Sequence, residues 1–438
     1  MNNTLVAQSL WPVDRVKDHV SKIGSGITPS GGAAGYLDIG IPLLRSQNIH
    51  FDGLRLDDVA YIAEETHDEM SGSKLRGHDV LLNITGASIG RCTFVPDDFG
   101  EGNVNQHVCI IRPKASLHHK FLTYCLSAPW GQDQIFSSFT GASRQGLGQR
   151  DLGSIQIPLP PLPEQQRIAA YLDASCAAID AAVAAKRRQL ETLDSVRESI
   201  IEAAVTRGLR ANPNLRVMDQ DWIAELPESW EAVRIKRVIS RLDYGISDRS
   251  EPEGKYPVLK MGNIQARDIV FSKMEFVDEV DDALLLEHND VLYNRTNSPD
   301  QVGKAALFLG TKDDAVTFAS YLVRLRVNHR IIPAFLNYAV NCRGFLAFAR
   351  RLAIPSVQQS NLNSTRYGRL HIPLPPPTEQ RAICEHLDSK LAEMKCIVGT
   401  IQTQITTLTA YRKSLIHECV TGQRRITEAD INRGKADG

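Results

Sequence analysis

Aromatic residues are scarce in this chain, only 6% of 438 residues. That argues against the extended stacking platforms that hold single-stranded nucleic acid. A surplus of positive charge is missing too. There are 50 Lys and Arg against 51 Asp and Glu, a formal net charge of −1. This argues against a free-standing nucleic-acid binder held by bulk field, but not against a local basic face or binding within a larger complex. The eight cysteines, Cys92, Cys109, Cys125, Cys176, Cys342, Cys384, Cys396 and Cys419, form no Cys-x-x-Cys pair. They read as buried or idle thiols of a cytosolic protein. Met1-Asn2-Asn3-Thr4 has no basic region and no long apolar run after it, so no signal peptide is expected. No apolar stretch approaches the ~20 residues of a membrane span. The expectation is a soluble, cytoplasmic protein with no membrane association. Its length calls for two to four domains.

Catalytic signatures are also missing. Ser298 to Ala305 ends in Gly303-Lys304, but lacks the first Gly and the final Ser or Thr of a phosphate loop. No Gly-x-Gly-x-x-Gly opens a helix, and no Asn/Asp-Pro-Pro-Tyr/Phe is present to grip a base for amino methylation. Glu253-Gly254-Lys255 has the ending of many nuclease motifs, but lies in a Pro/Gly/Glu loop with no placed upstream Asp. His118-His119 has no Cys or carboxylate at metal-ligand spacing, so no metal or other cofactor is expected. The chain reads as a recognition protein rather than an enzyme.

What the chain does have is a long internal repeat. Ile157-Pro158-Leu159-Pro160-Pro161 followed by Glu164-Gln165 returns, 215 residues later, as Ile372-Pro373-Leu374-Pro375-Pro376 followed by Glu379-Gln380. Leu172-Asp173 matches Leu387-Asp388, and Arg197, Ser199 and Ile201 match Arg412, Ser414 and Ile416. Upstream, Pro42-Leu43-Leu44-Arg45 and Asn48-Ile49 match Pro257-Val258-Leu259-Lys260 and Asn263-Ile264. Asp79-Val80-Leu81-Leu82-Asn83 resembles Asp290-Val291-Leu292-Tyr293-Asn294 at a slightly different offset. Solenoid repeats are far shorter, so this is a duplicated domain pair.

Each Pro-rich signpost opens a helical pattern that ends on Val-Thr. In the first, Leu172, Cys176, Ile179, Val183, Leu190, Leu193, Ile200 and Ala204 form a narrow apolar seam. In the second, Leu387, Leu391, Met394, Val398, Ile401, Ile405, Leu408, Leu415 and Cys419 do the same. Such a seam has a coiled-coil period. About 40 residues at ~1.5 Å each make a rod of roughly 60 Å. The nearest partner for each helix is its own repeat, run antiparallel; the alternative is that each packs only on its own domain. Lys186 interrupts the first seam, while Arg197 and Arg412 interrupt both; they read as snorkelling or paired side chains. Short β-type runs and short helices fill the regions before the signposts, as a mixed α/β class. The expected order is a first globular domain over 1–156 and a coiled-coil helix over 157–206. A linker spans 207–228, a second domain 229–371, a second helix 372–421 and a polar tail 422–438. The fold class is α+β with a pseudo-two-fold repeat.

Several loops at matched places carry side chains suited to DNA. They are Arg45, Gln47 and Asn48 with Lys260 and Asn263; Asn83, Thr85 and Ser88 with Asn294, Arg295, Thr296 and Asn297; and Arg144 and Gln145 with Gln358, Gln359 and Asn361. Arg and Lys bridge guanine, and Asn and Gln bridge adenine, in the major groove. Ser, Thr and backbone amides beside Gly26 or Gly245 suit phosphates. Any one such loop is more often a solvated turn. Recurrence in both halves with unlike residues at the tips is what two readers of different half-sites need.

The two signposts, each leading into a long helix, resemble the repeated segments of type I restriction–modification specificity subunits (HsdS). Ile223 to Trp230 resembles that family's approach to a recognition domain, and Asp290 to Ser298 a strand and loop within it. The resemblance covers nearly the whole chain. It implies two target-recognition domains on an antiparallel coiled coil, each reading half of a bipartite double-stranded DNA sequence, with helix length setting the gap. It implies no catalysis in this chain. It also implies two bound modification subunits that methylate adenine from S-adenosylmethionine, and allows two ATP-driven restriction subunits. The first half departs from the pattern: Trp11 lacks a preceding Leu-Pro, and Ile84 stands where Arg295 stands. Competing readings are a coiled-coil scaffold without DNA binding, and a fused methylase or nuclease with an unrecognised site.

Overall fold

The alternation of apolar residues along the central strands decides the architecture. In a computed structural model describing residues 9–29, 32–140, 146–265, 267–356 and 359–431, the chain divides into two units. One holds residues 1–187 and 402–438, the other 188–401. Each boundary falls inside a long helix, Leu162–Arg207 or Pro377–Thr421.

In the first unit, strands Val20–Ser25, Val108–Pro113, Val80–Asn83 and Cys92–Phe94 form one antiparallel sheet in that order. Successive side chains on a strand face opposite ways. Val80, Leu82, Cys109 and Ile111 therefore pack with helix His119–Ser127 and the long helices, while Leu81, Val108 and Ile110 join a core on the other face. A smaller sheet, Ala60–Ile62, Ile41–Leu44 and Asn103–Val104, completes the far side.

The second unit repeats this plan. Strands Ile239–Tyr244, Leu322–Val327, Val291–Asn294 and Ala305–Leu307 form the main sheet. Val291, Tyr293, Val323 and Leu325 face the helices, and Leu292 and Leu322 face the far core. The mixed α+β class expected from the sequence is observed, with two such units and two long helices.

Within each unit the long helices pack on each other as well as on the globular part. In the first, Leu172, Cys176 and Ile179 share a core with Leu415, Ile416, Cys419 and Val420. Asp180 pairs with Arg412 at 3.1 Å, and Arg424 lies over the ring of Tyr171. A higher number on one helix thus meets a lower number on the other, which is the antiparallel sense. In the second unit Ile201, Ala204 and Val205 share a core with Ile383, Cys384 and Leu387. Of the two arginines that interrupt the seams, Arg412 pairs with Asp180, and Arg197 pairs with Asp194 at 2.5 Å.

The repeated signpost has a mechanical explanation. Gln165 is buried at the start of the first long helix. Its carbonyl accepts from the His118 amide at 2.8 Å, and its amide donates to the carbonyls of Ser116 and Pro160. Gln380 does the same with the Ile332 amide and the Arg330 and Pro375 carbonyls. Eight residues on, Asp173 accepts from Tyr124 and Lys120, and Asp388 from Tyr338.

Three expectations change. Residues 207–228 hold a hairpin, Leu215–Gln220 with Ile223–Pro227, turned at Asp221 with φ 53°. Ile223 and Leu226 are buried in it, although its polar flanks read as loop. The polar tail is partly docked, with Ile426 buried in the first unit's core. One window of the first long helix reaches a mean hydropathy of 1.5 and is apolar enough to cross a membrane by composition. Its alanines supply that value one small residue at a time, so no single apolar run marks it in the sequence.

Replacing Gln380 with Leu takes this partner from the Ile332 amide and from the Arg330 and Pro375 carbonyls. A loss of about 2 kcal/mol or more is expected, since an unmatched buried group costs ~1–3 kcal/mol and a half-buried one less. Thermal or denaturant unfolding of the full chain measures this. Gln380→Glu is expected to cost at least as much, because its buried carboxylate would face the Arg330 and Pro375 carbonyls with no proton to donate.

Candidate nucleic-acid interface

The candidate loops sit on a brace that is built identically in both units. Asp79 is buried and receives Arg112 through two bonds, at 2.6 and 2.8 Å, while also accepting from the Arg76 amide. Asp290 receives Arg326 at 2.8 and 2.9 Å and accepts from the Glu287 amide. Such a two-pronged charge-assisted pair fixes the strand that feeds the loop. The repeated Asp-Val-Leu is therefore structural at its Asp.

Four predicted contact residues belong to this brace. Asn48 takes a bond from the Arg45 amide and gives one to the Arg55 carbonyl, each closing a turn. Asn263 does so with the Lys260 amide and the Val270 carbonyl. Asn83 donates to Ser46 and Ser88, and Asn294 to Met261. All four are buried, so their amides hold loops in place and are not presented to a ligand. Gly26 and Gly245 also change role. A Cβ at Gly26 would lie 1.7 Å from the Val104 carbonyl oxygen, and one at Gly245 2.1 Å from that of Phe318. These glycines let two strands cross closely rather than cradle a phosphate.

The remaining candidates divide by their surroundings. Arg45 and Gln47 both reach Asp58, and Arg45 also lies over the Tyr36 ring. Lys260 bonds Glu275, which holds that carboxyl below its ordinary range. Thr85 shares a 2.7 Å bond with His107, and Ser88 accepts from Asn83. Thr296 is buried and accepts from Asn361 at 2.9 Å. Arg144, Gln145 and Gln358 lie outside the described residues.

The second unit gathers the rest on one small sheet. Strand Thr296–Asn297 pairs with Gln359–Asn361, which pairs with Ile354–Ser356. This brings Asn297, Gln359 and Asn361 together beside Arg295, whose guanidinium carbon lies 5.2 Å from the centre of the Tyr244 ring. Tyr244 and Tyr321 are exposed there. Neither tyrosine was singled out from sequence. The available signal was Tyr244 standing at a strand end, directly before the strand-crossing Gly245.

Nothing in the described residues suggests a metal centre: no group of three or more His, Cys, Asp or Glu is placed to hold an ion. His119 stacks on His78 at 4.1 Å, and burial together with the neighbouring His78 pushes it down to about 3. It is a neutral ring at physiological pH.

A model of the type I restriction modification DNA specificity domain matches residues 39–192 and again residues 227–407. The chain belongs to that family. Curated relatives include the type I restriction enzyme StySPI specificity subunit of Salmonella potsdam, 22% identical over 90% of this chain and 86% of the relative. The EcoKI specificity subunit of Escherichia coli strain K12 is 20% identical over the same shares. The EcoBI specificity subunit of Escherichia coli is 29% identical over 44% of this chain and 42% of that one. Among solved structures, a chain from a type I R-M system matches with a TM-score of 0.73 at 16% identity, covering 94% of this chain and 97% of its own. The HsdS subunit from Thermoanaerobacter tengcongensis matches with a TM-score of 0.54 at 17% identity, over the same shares. The structural likenesses show the fold.

As a type I specificity subunit, the chain has a DNA-target specificity role, and its two matched segments explain the duplication. Each match begins in a globular region and runs on into the long helix that follows, so the repeating element is domain plus helix.

The second unit's far core contains a charge held by two carboxylates, Asp243 at 2.6 Å and Asp290 at 3.6 Å. Arg324 is fully buried and bonds Asp243 at 2.6 and 3.0 Å, plus the carbonyls of Ala283 and Leu285. Burial alone would raise the Asp243 carboxyl, but the bonds from Arg324 and Arg241 outweigh it and hold it below the ordinary carboxylate range. Asp243→Asn is expected to cost up to about 3 kcal/mol, because the buried cation keeps only Asp290, 3.6 Å away, as a carboxylate partner. A carboxyl depressed in the folded state contributes stability above its unfolded pKa of about 4 and loses it as pH falls further. Unfolding of the full chain between pH 6 and pH 3 tests both points: the Asp243→Asn chain should show a shallower acid loss.

Proposed function

We propose that each unit reads one half of a bipartite, asymmetric double-stranded DNA sequence, and that the length of the long helices sets the gap between the halves. In this reading the chain performs no chemistry. It docks two modification subunits that carry the methyl transfer to adenine, and accepts restriction subunits, in the cytoplasm. The observation that carries the reading is the pairing of one scaffold with two unlike tips. Where the second unit has Arg295 and Tyr244, the first has Ile84 and Ser25. A single scaffold with different recognition residues suits two different half-sites.

Among the predicted contacts, Arg295, Asn297, Gln359 and Asn361 on the second unit, and Thr85, Ser88, Arg45 and Gln47 on the first, have the surroundings that favour this role. Lys260 and Thr296 support those loops from beside them. The near-zero net charge fits a subunit whose partners complete the positive clamp. Isolated binding should then be weak and fall steeply with salt.

The test is to exchange residues 229–371 for the corresponding domain of another specificity subunit and map methylated adenines in DNA from cells carrying the assembled complex. One half of the recognised sequence should change while the other stays; an unchanged sequence would refute the reading. Deleting four residues from both long helices should change or abolish the accepted gap. The isolated chain is expected not to bind S-adenosylmethionine in calorimetry, and binding there would favour a fused methylase.

A further inference from the structure

The tip of the second unit holds one arginine in an unusual state of readiness. Arg295 has its backbone tied on both sides: its amide donates to the Tyr321 carbonyl at 2.9 Å, and its carbonyl accepts from the Leu362 amide at 2.8 Å. Beneath it, Tyr293 and Tyr367 stack at 3.8 Å with planes 4° apart, and Phe345 meets Tyr367 edge-on. The platform is therefore rigid. The guanidinium itself lies against the Tyr244 ring, and no carboxylate forms an ion pair with it among the described residues. Among the described residues its one other polar contact is a long one, 3.4 Å to the Thr296 hydroxyl. Tyr244 is exposed, and its own hydroxyl shares a 2.7 Å bond with Ser364, which fixes the ring.

A guanidinium laid on an aromatic ring keeps its donor edge free and in a set plane. Diffuse attraction to a phosphate needs no such orientation. A base edge with two acceptors does, and in the major groove that edge is guanine O6 and N7. The neighbouring side chains of Asn297 and Gln359 are neutral amides, which also suit base edges. At the matching point of the first unit stands Ile84, which is buried.

We propose that Arg295 reads a guanine in the half-site of the second unit, and that Tyr244 is the positioning residue that presents it. The first unit's half-site is read by different chemistry at the matching point. This rests on the two-reader function proposed above and assigns a base to one of its readers.

The experiment uses the full chain assembled with its modification subunits and a randomised DNA library, with methylation scored base by base. Arg295→Ala should relax one G·C position in one half-site, leaving the other half-site intact as an internal control for folding. A bidentate contact predicts a loss of discrimination of roughly 5- to 150-fold at that position. Tyr244→Leu should relax the same position, whereas Tyr244→Phe, which keeps the ring and loses only the bond to Ser364, should retain most of the discrimination. Should Arg295→Ala abolish methylation altogether, Arg295→Lys decides: charge is kept, the stacked fork is lost, and the same G·C position should relax. Even weakening across all sequences with a shallower salt dependence would make Arg295 a phosphate contact and overturn the proposal. So would relaxation at an A·T position, or an unchanged profile. If the unaltered complex methylates no defined bipartite sequence, the two-reader function itself fails; if it does and the Arg295 variants keep the same profile, only this inference fails.

Discussion

A single glutamine at the root of each long helix fixes the rest of the structure. The first turn of a helix leaves amides and neighbouring chain groups in need of partners. Gln165 and Gln380 are buried and each close three backbone groups, drawn from the Pro-rich run and from the turn that starts a short helix. One side chain thereby locks a globular part to the base of a long helix. Two helical turns further, Leu172 and Leu387 are fully buried, and Asp173 and Asp388 accept from tyrosines of the same short helices. Residues at that spacing share a helix face. The clamp therefore sets the orientation of the helix's first turns against its sheet, and the Pro-Pro-x-x-Glu-Gln run and the Leu-Asp pair repeat together because they are parts of one joint.

Much of this frame was legible in the sequence because it is built from periodic apolar residues and helix breakers. Heptad spacing marked both helices, and Pro marked their starts. The polar residues were harder to read. Asn48 and Asn263 close turns from three residues beyond Arg45 and Lys260, yet an Asn in a loop looks the same whether its amide meets a backbone or a base. Asn83 and Asn294 end strands whose neighbours are apolar on both faces, and burial of both faces is invisible to a one-dimensional pattern. The 215–227 hairpin was hidden for a related reason. Its strands are short, and one of them buries no residue fully, so local composition looked like linker.

The aromatic shortage proved informative in an unexpected way. Few rings are present, so extended stacking surfaces are absent from the reading, but the second unit concentrates several at one place. Tyr293, Tyr367 and Phe345 form a buried support, and Tyr244 and Tyr321 lie exposed above it. Composition averages over the chain and cannot report such clustering.

The divergence between the units follows the same division of labour. On the sheet face toward the helices, Val80, Leu82, Cys109 and Ile111 correspond to Val291, Tyr293, Val323 and Leu325, all apolar and all buried. On the far face the substitutions are of a different kind. Arg324 replaces Ile110, and Phe318 replaces Val104, with the Arg324 guanidinium 5.6 Å from the Phe318 ring centre. A buried cation needs partners, and Asp243 and Asp290 with two carbonyls supply them in that unit. The far face can absorb such a change because it is not held by the glutamine joint. The helix-facing layer cannot, since any shift there would move a long helix relative to its sheet. Recognition chemistry can therefore be rebuilt on the far side and at the loop tips while the joint, the brace at Asp79 or Asp290, and the helix seam keep their form.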